Sequence, residues 1–183
     1  MNELKDYLIS QLTVIPQIVY EGLLAFFCVG TVVLIILYRR KVYRYIGWLL
    51  LFEYVFFVYG LTVFFRRTGL IKIYYSPFWS YVSIFRKGDL KALYETILNV
   101  VLFIPLGFLW GIISYKWSKS WKWFSVLIVG LGLSVIIELL QYYFKKGCVE
   151  VDDVIHNTFG CLMGFLIWRG VSKMYTAIKT QSA

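Results

Sequence analysis

The stretch VDDVIHNTFG (151–160) places Asp152, Asp153, His156 and Asn157 within six residues, and His156 is the chain's one histidine. Two carboxylates, an imidazole and an amide can act as general acid and base, hold a cation, or hydrogen-bond a polar headgroup. Shortly upstream come Glu138 and Gln141, then Lys145 and Lys146; Asn99 and the pair Pro77–Phe78 lie earlier still. Glu138 and Asp153 are the candidates for a catalytic proton carrier. Asp152 and Asp153 are the candidates for a divalent cation, although no dedicated metal centre is expected. A lone histidine excludes His-rich zinc signatures, and no Ser-His-Asp or Cys-His order is evident. No cofactor is expected.

Positions spaced by three and four share one face of a helix. Asp153, Asn157, Gly160 and Gly164 form one such stripe, with Asp152 and His156 beside it. Ser134, Glu138, Gln141 and Lys145 form a second, and Asn99, Phe103, Gly107 and Gly111 a third. Gly160–Gly164 and Gly107–Gly111 are small-residue pairs of the kind that let helices approach closely. ETILNVVLFIPLGF and DVIHNTFGCLMGF share acid-x3-Asn followed by a run ending in Gly-Phe, a faint internal repeat. Each polar residue also has a bland role. Aspartates at a helix start cap free backbone N–H groups, and Glu138, Gln141, Asn99 and Asn157 could simply bond helices together. An ionised carboxylate in hydrocarbon costs about 2.5–3.5 kcal/mol, so Glu138 needs a partner, a proton or water.

These stripes must be carried by membrane helices. The 183 residues are 60% hydrophobic, 20% aromatic and 16% charged, against about 45–50% apolar and about 25% charged in soluble domains. The predicted fold is all-α: a polytopic bundle of about five transmembrane helices, at 16–38, 47–65, 97–115, 123–144 and 154–171. The aromatic connection between the second and third, broken by Gly69, Pro77 and Gly88, is expected to be interfacial or re-entrant. Residues 1–15 carry leucines at helical spacing and are expected to lie along the interface, with no cleaved leader. Residues 16–175 are read as a single transmembrane domain and 176–183 as a polar tail. The net charge of +9 lies between apolar blocks, which indicates headgroup anchoring rather than nucleic acid. Short basic flanks at 39–44, 116–122 and 169–179 favour an outside N-terminus. In that topology the acid-rich segments share the outer face, Glu53 excepted. Cys28, Cys148 and Cys161 are scattered and read as packing residues.

With these motifs in order, the chain resembles the VanZ family, the teicoplanin-resistance protein and its relatives. The residues that carry the likeness are Asn99 leading into Phe103, Pro105 and Gly107; then Ser134, Glu138 and Gln141; then Asp152, Asp153, Asn157, Thr158 and Gly160. Pro77 and Phe78 match the family's Pro-Phe, so the resemblance covers residues 76–165. Where relatives usually carry an arginine before the acidic pair, this chain has Lys146, or in the other alignment Lys145. Lysine lacks the bidentate fork of arginine. The resemblance implies a multi-pass protein of the bacterial cytoplasmic membrane, linked to resistance to glycopeptides, chiefly lipid-tailed ones.

Two functions then compete. In the first, an outer-face polar pocket of Pro77, Phe78, Asn99, Glu138, Gln141, Lys146, Asp152, Asp153, His156 and Asn157 engages an amphiphile. That amphiphile is a lipoglycopeptide or a lipid-linked cell-wall precursor, with membrane lipids around it. In the second, the acids make it an enzyme on a lipid-linked envelope substrate, with Lys146 as anion clamp. A cation- or proton-coupled carrier ranks last, because one-sided polarity provides no second gate. The oligomeric state is not fixed by the sequence.

Overall fold

The computed structural model describes residues 43–64, 66 and 72–181, with Gly22, Phe26, Val29 and Gly30 as isolated positions. The interfacial segment expected at 1–15 lies outside the described residues, as does nearly all of the span expected at 16–38. The described residues are helical apart from two three-residue strands and the short connections between elements. In chain order they form α1 (Tyr43–Tyr59), a π-helical turn (Gly60–Phe64), β1 (Lys72–Tyr74), α2 (Trp79–Lys87), α3 (Leu90–Ile113), a 3-10 turn (Ser114–Lys116), α4 (Lys119–Phe144), β2 (Cys148–Glu150) and α5 (Val151–Gln181). Among the described residues, three helical segments are long and apolar enough to cross a membrane: Tyr45–Val63, Leu90–Lys116 and Lys119–Phe144. Only about a third of each apolar window is buried; the remaining apolar face points outward, as lipid contact requires. The span expected at 154–171 lies within α5, which starts earlier and runs on to Gln181.

The chain divides into two compact units. One comprises the chain through Tyr75 with Ile137–Glu150. In it β1 and β2 pair in parallel, with Lys72, Ile73 and Tyr74 opposite Cys148, Val149 and Glu150. α4 ends with Lys145 in the left-handed region (φ 55°), where the Lys146 N–H donates to the Gln141 carbonyl at 2.8 Å. That pattern closes a helix C-terminus. Gly147 follows at φ 80°, and a Cβ there would press on the Arg66 guanidinium.

The other unit comprises Ser76–Ile136 and Val151–Ala183. Its centre is the packing of α3 against α5. A Cβ on Gly160 would strike the Val100 carbonyl, and one on Gly164 the Ile104 carbonyl. Reciprocally, a Cβ on Gly107 would strike the Cys161 carbonyl and one on Gly111 the Trp168 ring. Contacts advance in the same direction along both helices, so they run parallel, with each backbone seated on the other's glycines. Phe103, Leu106, Cys161 and Phe165 are fully buried around this seam. Pro105, which has no N–H to offer the helix, sits inside α3 without ending it.

Candidate functional site

In the Ser76–Ile136/Val151–Ala183 unit, the acidic pair opens into two different networks. Asp152, 1% exposed, accepts from the Phe78 N–H at 2.6 Å and the Ser80 N–H at 2.7 Å. Its carboxylate therefore caps the start of α2, from more than seventy residues away in sequence. Free N–H groups and the positive end of the helix dipole account for the stabilisation. Phe78 adopts a left-handed conformation (φ 65°), which costs a non-glycine residue roughly 1–2 kcal/mol. That conformation turns its N–H towards Asp152 and leaves its ring exposed.

Asp153, one position on, accepts from Asn99 Nδ2 at 2.7 Å. Consecutive helical side chains diverge by about 100°, so the two carboxylates serve different neighbours. Among the described residues, no group of three or more His, Cys, Asp and Glu converges as a metal site would require.

His156 and Asn157 lie one turn deeper, both buried. His156 Nε2 is 3.1 Å from the Tyr81 hydroxyl, with the rings edge-on at 5.5 Å. Asn157 Nδ2 donates to Ser134 Oγ at 2.8 Å. His156 Nδ1 and Asn157 Oδ1 have no hydrogen-bond partner. Buried polar groups are normally satisfied, so these two atoms are unmet hydrogen-bonding capacity in the cluster.

α2 roofs this cluster inside-out. Its buried side chains are Ser80 and Ser83, while Tyr81, Val82 and Phe85 are exposed beside Phe78. The spacing 78, 81/82, 85 makes one aromatic-apolar face, as expected of a helix lying at headgroup level. Ser83 Oγ bonds Asp89 at 3.0 Å. Asp89 caps α3 by accepting from the Ala92 N–H at 3.2 Å, and chiefly that bond holds its carboxyl below the usual carboxylate range. Pro77 is exposed just before the helix.

The remaining candidates belong to the other unit. Glu138, 6% exposed, accepts from the Glu150 N–H at 3.0 Å, tying the end of β2 to α4. Gln141 Nε2 donates to the Thr62 carbonyl at 3.0 Å, in the π-helical turn. Lys146 Nζ donates to the Arg66 carbonyl at 2.7 Å, beside the turn that closes α4. Sequence reasoning did not single out Arg66, whose charge acts on Glu138, or Ser80, which contributes its backbone N–H to Asp152; Glu150 was placed on the acid-rich face but not among the site residues. Tyr81 was legible only as an aromatic of the connection; the pairing with His156 had no local signal.

A family model described as VanZ/LLP1 matches residues 45–173. The protein is similar to "Protein VanZ" of Enterococcus faecium, 34% identical over 74 residues. That alignment covers 40% of this chain and 44% of the relative, so it spans less than half of that protein's length. No solved structure matches at a significant level.

Proposed function

The chain belongs to the VanZ/LLP1 family, and from that premise we propose that it is a membrane-embedded binding protein. It engages an amphiphile at the outer leaflet of the bacterial cytoplasmic membrane and lowers the action of lipid-tailed glycopeptides. The observation that carries the reading is the division of labour in the VDDVIHN stretch. Both aspartates hold protein donors, Phe78 N and Ser80 N on one and Asn99 on the other. A hydrolytic acid or metal ligand would keep a carboxylate free for its reactant. The groups left open are the Asn157 carbonyl oxygen and His156 Nδ1, under a roof of exposed Phe78, Tyr81 and Phe85. Aromatic surface at headgroup level with a few polar atoms beneath suits an apolar tail joined to a polar head.

Expression in a glycopeptide-susceptible bacterium tests this. The inhibitory concentration should rise for a lipid-tailed glycopeptide and stay unchanged for a tailless one. Phe78→Ala with Tyr81→Ala should abolish the rise at unchanged protein level. Membrane-lipid profiles should be the same with and without the protein. A change in lipid profile that Asp153→Asn or Glu138→Gln removes would establish an enzyme instead.

A further inference from the structure

At its other end, the Ser76–Ile136/Val151–Ala183 unit carries a feature that the VDDVIHN cluster does not explain. A cavity of about 200 Å³ lies between the start of α4 and the second half of α5. Four cations line it: Lys119 and Lys122 in the first turns of α4, and Arg169 and Lys173 one turn apart on α5. Its wall is aromatic. Phe165 stacks on Trp168 at 5.6 Å and meets Trp123 edge-on at 5.1 Å.

Charge balance marks it as an anion site. Residues 96–137 and 154–183 contain no aspartate or glutamate, so both contributing segments are acid-free. Two of these cations meet aromatic rings: Lys122 lies 5.7 Å above Trp168 and the Arg169 guanidinium 5.1 Å above Trp123. Those contacts hold the side chains at the cavity without neutralising them. The α4 N-terminus, where Ser118 already takes the Trp121 and Lys122 N–H groups, adds the positive end of its dipole. Trp168 lies about 26 Å along α5 from Val151, close to the ~30 Å of a hydrocarbon core. α4, one of the helices apolar enough to cross a membrane, begins at Lys119, so the cavity is at headgroup level, at the other end of α5 from the acidic pair.

We propose that the Lys119/Lys122/Arg169/Lys173 cavity binds the phosphodiester headgroup of an anionic phospholipid, with the acyl chains leaving past the half-buried Trp123 and Trp168. Free phosphate shares the headgroup's charge but cannot use the aromatic wall. The occupant is accordingly a lipid of the leaflet at that end of α5, and it anchors the start of α4 to α5.

The test uses the full chain in phosphatidylcholine vesicles, titrated with brominated phosphatidylglycerol or brominated phosphatidylcholine while tryptophan fluorescence is read. Phosphatidylglycerol should quench at a mole fraction lower by more than fivefold, about fivefold being the factor for each basic residue acting on an anionic lipid. Lys122→Gln and Arg169→Gln should each reduce that preference about fivefold, with helical circular dichroism unchanged. Lys116→Gln removes an equal charge in the neighbouring 3-10 turn, outside the cavity, and should leave the preference intact. Equal quenching by the two lipids would overturn the proposal, as would an equal loss in Lys116→Gln. Release of the quenching by millimolar inorganic phosphate would overturn the lipid as the source of the anion.

Discussion

Replacing Asp152 with alanine should loosen α2 while sparing the α3–α5 seam. The carboxylate is the shared acceptor of two N–H groups, at 2.6 and 2.7 Å. Phe78 is exposed, so its freed N–H can turn to water; Ser80 is 5% exposed, so its N–H is left buried without an acceptor. A buried unsatisfied donor costs about 1–3 kcal/mol, and loss of the charge at the helix start adds up to about 1 kcal/mol. The total, about 1–4 kcal/mol, corresponds to amide exchange about 5- to 900-fold faster if opening is local. Hydrogen exchange read by mass spectrometry on the detergent-solubilised protein should show this acceleration in peptides covering 78–87. Peptides covering 100–111 and 160–168 should keep their rates. Asp152→Asn, which keeps one acceptor oxygen and loses the charge, should fall between. Unchanged exchange at 78–87 would refute the capping argument, and uniform acceleration across the chain would refute its locality.

Ala at Gly164 must displace the Ile104 carbonyl, so thermal unfolding in detergent should move to lower temperature. Ala at Gly132, where a Cβ meets nothing within 4 Å, should be neutral or raise stability by up to about 1 kcal/mol. Ser134→Ala orphans the buried Asn157 amide and should cost about 1–3 kcal/mol; adding Asn157→Leu should recover part of that loss, measured as a double-mutant cycle. Asp89→Ala should destabilise the start of α3 by about 1 kcal/mol. Because folding lowers the Asp89 pKa, its contribution is complete above the unfolded-state value and lost as pH falls through the folded one. Fraying of α3's first turn should therefore appear on the acid side of about pH 4, and Asp89→Asn should flatten that dependence.

Local periodicity made much of this architecture legible. Gly107, Gly111, Gly160 and Gly164 stood out because small residues four apart in apolar runs have few other uses than close helix approach. The similar stripes of ETILNVVLFIPLGF and DVIHNTFGCLMGF become two parallel helices seated on each other's glycines. What escaped was non-local or too short. Strands of three residues, Lys72–Tyr74 and Cys148–Glu150, carry no alternation that a pattern can show. Nothing after Val171 signals a helix stop, and α5 continues to Gln181. Helix capping by the acidic pair was foreseeable, but the helix that Asp152 caps is α2, which only the tertiary fold brings near. The inverted burial of α2 also defeats the usual rule. Its serines face protein and its aromatics face outward, as expected where the outer solvent is lipid.

Binding of an amphiphile at the aromatic roof over His156 and Asn157 is measured by retention of a lipid-tailed glycopeptide and of a lipid-linked cell-wall precursor on the purified, immobilised full chain. At least one of the two should be retained saturably, with retention weakened about tenfold or more by Phe78→Ala with Tyr81→Ala and left intact by Lys116→Gln. Retention of neither ligand, or retention indifferent to Phe78 and Tyr81, would contradict binding at the roof.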